Sequence, residues 1–197
     1  LGDMGALKIT TQKFYRINGG STQLEGVKSD VVVPDRFSYI DIGEKDLDNP
    51  LPWDKIAAAD YEVWDGYIDY DQTISNSNER MAKNKQLQLI EENAKWIKSK
   101  QDDSVWPLNI DAYAAKMEQN EAEAKRFDDL RNYESGLTFK SLPYEIKKFE
   151  NDTVLKQKRE RWHEDLAKDV YMDEAINVLE DLKVNNIRRG KLADVRD

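Results

Sequence analysis

Cysteine is absent from the 197 residues, which excludes a disulfide framework, cysteine nucleophiles and thiolate metal sites. Histidine occurs once, at His163, so multi-histidine metal sites are excluded as well. Long apolar runs are missing too. Val31-Val32-Val33 and the IAAA stretch at 56–59 are the best available, far short of the roughly 18 residues that a membrane-spanning helix needs. The opening LGDMGALKIT has neither the basic nor the apolar region of a signal peptide. Positive charge is also in deficit: 30 Lys/Arg face 39 Asp/Glu, giving a net −9. A surface of that sign repels phosphate backbones and disfavours general nucleic-acid binding.

What is present is 22.9 kDa of chain, 39% apolar and 35% charged, enough for one large domain or two small ones. Its character changes partway along. Seven of nine glycines fall in the first 66 residues. Residues 1–70 hold 7 Lys/Arg against 13 Asp/Glu, whereas 71–197 hold 23 against 26. The shift places a boundary near residue 70, between a turn-rich acidic section and a charge-mixed one with few breakers.

The front section reads as strand. Leu7, Ile9, Thr11, Lys13, Tyr15 and Ile17 alternate with a period of two. Asn18-Gly19-Gly20-Ser21 then supplies a turn. A second β-prone run spans Val27 to Pro34, and Pro52-Trp53-Asp54 with KIAAADY predicts a short helix starting near Asp54. Beyond about residue 75 the period is helical. Ser75, Asn76 and Ser77 offer caps for a helix to about Lys100 with Met81, Leu87, Ile90, Ala94 and Ile97 on one face. Asp111 starts a second, with Tyr113, Met117, Ala124, Phe127 and Leu130, ending near Gly136. Pro143 opens a third through Ile146, Phe149, Leu155 and Trp162, and a fourth covers Tyr171 to Ile187. The expected fold class is mainly α with a small β part (α+β), its helices packed as a bundle or as arms around something else.

Chemistry is hard to find. The carboxylate pairs Asp69/Asp71, Asp102/Asp103 and Asp128/Asp129 lack the ligand spacing of a calcium loop, as does the stretch 65–71, and read as solvated loops. His163 has no second histidine at i+4 and reads as a surface or ion-paired group. Trp53, Trp64, Trp96, Trp106 and Trp162 are scattered without interleaved basic residues, which favours core packing over a stacking platform. Arg188-Arg189-Gly190-Lys191 reads as a frayed basic helix end, and Gly19-Gly20 belongs to no phosphate loop. No serine has a lysine or histidine in a recognisable catalytic pattern. From the residues alone the catalytic, cofactor and metal sites are none, and the chain could be a self-contained acidic helical binding module.

Three stretches are more specific. Thr11 to Gln23 reads TQKFYRINGGSTQ and is followed by Gly26-Val27, Asp30 and Pro34-Asp35. Leu51-Pro52-Trp53-Asp54 precedes Ile56, Ala58 and Tyr61, and Tyr171 to Val178 reads YMDEAINV. Together they resemble the end of the peptidase core and the C-terminal region of the carboxy-terminal processing proteases, tail-specific (Prc/Tsp) branch. Ser29 departs from a proline usual in that family. The resemblance implies that residues 1–70 are a remnant of the protease core and 71–197 a helical C-terminal domain. It implies a Ser–Lys dyad, aided by a glutamine, and a PDZ domain, all upstream of the strand that ends at Gly19-Gly20. No residue here receives a catalytic role. The parent would cleave periplasmic proteins recognised by apolar C-terminal tails in a Gram-negative bacterium, with a signal peptide upstream. The helical part would enclose substrate or dock a regulatory adaptor. A 6–17 strand without its upstream partners is expected to pair with the following strand, to dimerise or to lose order.

Overall fold

The computed structural model describes residues 2, 5–6, 9–62, 69–149 and 152–188. It divides into two compact units, one of 1–30 with 40–66, the other of 31–39 with 67–197.

The first unit is organised by a turn. Gly19 N–H donates to Arg16 O at 2.8 Å, Arg16 N–H to Gly20 O at 2.9 Å, and Gly20 N–H to Asn18 Oδ1 at 3.0 Å. Gly19 sits at φ +83, and a Cβ there would lie 2.1 Å from Ile56 O, so only glycine fits. Against this turn runs the segment after Trp53. Ser21 N–H donates to Asp54 O at 3.0 Å, Ile56 N–H to Gly19 O at 2.9 Å, and Ala59 N–H to Ile17 O at 2.8 Å.

The short helix predicted from Asp54 is therefore not formed; the stretch is extended instead. Its carboxylate, expected to cap that helix, accepts from Tyr15 Oη at 2.9 Å and Lys13 Nζ at 3.2 Å. With the cap engaged elsewhere and the backbone drawn into cross-chain bonds, tertiary pairing outweighs the weak helix preference of the alanines. The β part is also reduced. Among the described residues no strand forms, and pairing is limited to isolated bridges, Tyr15 with Ser21 and Gly20 with Lys55. Residues 9–14 carry no regular structure, and Leu7 and Lys8 lie outside the described residues. Alternation marks a strand only when a neighbouring chain takes up its backbone groups.

The second unit is helical: α1 (Tyr70–Lys83), α2 (Lys85–Asp102), α3 (Ile110–Lys125), α4 (Pro143–Phe149), α5 (Thr153–Ala167) and α6 (Val170–Arg188). Each long helix starts at a short polar side chain. Asp69 accepts from Gln72 N–H, Asn84 from Gln86 and Leu87 N–H, Asn109 from Asp111 and Ala112 N–H, and Asp152 from Leu155 N–H. The single helix expected to about Lys100 is thus two, because Asn84 breaks out of helical geometry to cap the second. Ser75, Asn76 and Ser77 lie inside α1 rather than at its start. The third expected helix likewise divides into α4 and α5.

The core lies where α1, α2 and the start of α6 meet. Met81, Leu87, Ile90 and Val170 are buried, and Val31, Val33, Leu130 and Tyr133 pack on them. Val27 to Pro34, expected as strand, forms none; it is single, and Val31 and Val33 turn onto the helices. Ala94 and Phe127 are buried as well. Among the described residues, no helix is long and apolar enough to cross a membrane.

Candidate functional site

The densest polar cluster joins α1 to α6. Glu174, 4% exposed, accepts from Ser77 Oγ at 2.6 Å and from Arg80 Nη2 at 2.7 Å. Arg80 Nε adds longer bonds of 3.2 Å to both oxygens. The same guanidinium reaches Asp181 Oδ2 through Nη1 at 2.6 Å, while Asn76 Nδ2 donates to Asp181 Oδ1 at 3.2 Å. The spacing of Asn76, Ser77 and Arg80 puts all three on one face of α1. The hydrogen bond to Glu174 leads the causes that raise the Arg80 pKa. A guanidinium so held stays a fixed cation.

Glu174 belongs to the stretch 171–178, and its neighbours do similar work. Tyr171 Oη donates to Pro34 O at 3.0 Å, and Asp173 accepts from Tyr133 Oη at 2.5 Å. Burial, followed by that bond, pushes the Tyr133 phenol up to about 12. One α6 turn thereby ties down three separate parts of the helical unit. It is a junction, with no group placed to attack a substrate.

Between α2 and α3 a second polar cluster surrounds Glu123. Its carboxylate accepts from Lys100 Nζ at 2.7 Å, Trp96 Nε1 at 3.0 Å and Gln119 Nε2 at 3.0 Å. Lys100 first, then Trp96 and Gln119, lower its pKa to about 2. Trp96 in turn packs on buried Phe127, ring centroids 5.5 Å apart.

The third site is a groove of about 640 Å³ lined by the 139–141 segment, α4 and α5. Phe139, Ile146 and Phe149 line it, with Lys140, Lys156 and Arg159 around them. Ser141 Oγ lies 3.5 Å from His163 Nε2 in this groove. This nucleophile–base proximity escaped sequence reading, because 22 residues separate the pair. It is at the outer limit of a hydrogen bond, and among the described residues no carboxylate orients the imidazole.

The other expected positions stay apart. Asp69 caps α1; Asp102 pairs with Lys98 at 3.0 Å and Asp103 with Lys116 at 2.6 Å. Asp128 and Asp129 sit in a short 3-10 turn, and Asp129 accepts from Asn132 Nδ2 at 3.3 Å. Among the described residues no three His, Asp or Glu side chains converge on a point that could hold a metal. Among the described residues the tryptophans neither gather into a platform nor, for the most part, fill the core. Trp53, Trp106 and Trp162 are exposed, Trp96 is partly buried, and Trp64 lies outside the described residues, as do 189–191 and most of 65–71.

In the first unit, the two front stretches meet. Trp53 Nε1 donates to Ser21 O at 3.0 Å, and Lys13 Nζ donates to Pro52 O at 2.7 Å besides pairing with Asp54. The Tyr15 bond, followed by Lys13, lowers the Asp54 pKa.

Residues 37–184 match the family model described as the C-terminal domain of tail specific protease (DUF3340). The chain belongs to this family. A curated relative, the tail-specific protease of Haemophilus influenzae, is 39% identical over 131 residues, which cover 64% of the chain. They cover only 19% of that relative, so the chain spans about a fifth of its length. As a C-terminal tail-specific protease domain, the helical unit is built around the α1–α6 junction, the Glu123 cluster and the α4–α5 groove.

Proposed function

We propose that this chain is the non-catalytic C-terminal part of a carboxy-terminal processing serine protease. The parent would use a Ser–Lys dyad, held outside these residues, to cut proteins carrying apolar C-terminal tails. Its compartment would be the periplasm of a Gram-negative bacterium, reached with a signal peptide carried upstream. In this reading residues 71–197 form the helical domain, which shapes the substrate-enclosing body or docks a regulatory adaptor, and 1–70 complete the protease core. The observation that carries it is the family match over 37–184, joined to an arrangement in which Tyr15, Trp53, Asp54, Tyr171, Asp173 and Glu174 of the three stretches make structural hydrogen bonds.

The β part of the fold also belongs to this proposal. Phe14 and Ile17 are 79% and 62% exposed, their carbonyls accepting from Thr22 and Ala59 N–H while their side chains face outward. In the longer protein they would become a paired strand. In the isolated chain they offer an edge for dimerisation.

The test is cleavage of a reporter with an apolar tail by the full-length protease and by a version lacking 69–197. Loss of cleavage of folded reporters on deletion is expected. Unchanged cleavage of folded and unfolded reporters would remove the role given to the helical domain.

A further inference from the structure

The groove between α4 and α5 stands out in charge as well as in shape. From Phe139 to His163, the span that lines it, there are seven Lys/Arg against four Asp/Glu, a net +3 in a chain of net −9. Two of its cations are engaged: Arg159 holds Glu145 at 2.9 Å and lies 4.7 Å from the Trp162 ring centre, and Lys156 faces Glu160 at 3.9 Å. The third cation on its wall, Lys140, has no carboxylate within 4 Å among the described residues. Apolar side chains continue beyond the groove, with Leu142, Tyr144 and Val154 all more than half exposed.

We infer that this groove docks an acidic protein segment carrying bulky apolar side chains. Three observations converge on that occupant. The Phe139, Ile146 and Phe149 rings and chains form a concave apolar surface that suits inserted side chains better than a flat bilayer. The cations around it complement carboxylates: Lys140 carries no carboxylate partner among the described residues, and the long, exposed Lys156–Glu160 pair is one that a ligand can replace. Its Ser141 and Thr153 hydroxyls can bond a passing backbone. The contrast with α3 is instructive. Ile110, Tyr113 and Met117 there form another exposed apolar face, but Glu118 and Glu121 border it and would repel the same segment.

The inference rests on the reading of the helical unit as a protein-docking domain and names the chemistry of its partner. Its test is fluorescence anisotropy on the 197-residue chain, with a labelled 14-residue probe peptide made of Glu, Leu and Phe. The controls are a counterpart with Lys for every Glu, and vesicles of phosphatidylglycerol. Expected is binding about tenfold tighter for the acidic peptide than for the basic one, weakening severalfold between roughly 50 and 300 mM salt. The double charge reversal Lys140→Glu and Lys156→Glu, at exposed positions that leave the helices folded by circular dichroism, should weaken it about tenfold. Ile146→Asp should do the same, and Lys83→Glu on α1 should change nothing. Equal binding of both peptides, no binding, indifference to the charge reversals, or binding of the vesicles alone would overturn the inference. None of these outcomes bears on whether the full-length protease needs residues 69–197 to cut its reporter, so the two proposals fail separately.

Discussion

Arg80 on α1 and Glu174 on α6 form a bidentate pair, sealed by the Ser77 hydroxyl on the same carboxylate and by Asp181 on the other side of the guanidinium. The two helices are 94 residues apart in the chain at this pair, which makes it a closure point for the helical unit.

Removing one partner strands the other. Arg80→Met leaves Glu174 almost fully buried without its countercharge, and should cost about 3 kcal/mol in urea unfolding. The double variant Arg80→Met with Glu174→Met should cost less than the sum of the two single changes, because no orphaned carboxylate remains. Additive losses would show that the pair does not act as a unit.

Gly19→Ala introduces a Cβ at positive φ against the Ile56 carbonyl. Strain of about 1–3 kcal/mol is expected before the clash is counted. The readout is amide exchange: Ile56 and Ala59 N–H, which donate to Gly19 O and Ile17 O, should lose protection. Amides of α2 should not change.

Asn84 caps α2 through two backbone N–H groups and separates it from α1. Asn84→Ala should destabilise the helical unit by about 1 kcal/mol, and Asn84→Gly by only a few tenths. Equal stability of wild type and Asn84→Ala would mean that the break is set by packing alone.

Glu123 supplies a pH dependence with a definite sign. Its pKa falls from an ordinary 4.5 to about 2 in the folded chain. The folded state therefore prefers the ionised form, and the stabilisation is present above about pH 4.5 and lost as pH falls toward 2. The cluster is about a third exposed, so the effect is modest. Trp96 fluorescence should report an acid transition in that window, and Glu123→Gln should flatten it.

Much of this was legible in the sequence. The periodicity of Met81, Leu87, Ile90 and Ala94 located the core face, since burial follows helical spacing directly. The break at Asn84 was not legible, because asparagine is tolerated inside helices and only the geometry of its cap distinguishes the two. The Asp54 helix failed for a tertiary reason: a carboxylate 39 residues from Tyr15 cannot declare its partner locally. For the same reason the Glu174 junction and the Ser141–His163 proximity were invisible, although the stretch containing Glu174 was marked by its resemblance. The α4–α5 basic groove was present as composition, but only folding placed its cations around one apolar surface.

We propose that these residues serve a protease without cutting substrate themselves. Ser141 and His163 are the nearest thing to a nucleophile and base among the described residues, so they set the control. The decisive measurement is digestion of unfolded casein by the purified 197-residue chain, beside Ser141→Ala and His163→Ala. No cleavage above buffer is predicted for any of the three. Cleavage by the wild-type chain that survives repurification and disappears in either variant would contradict the account.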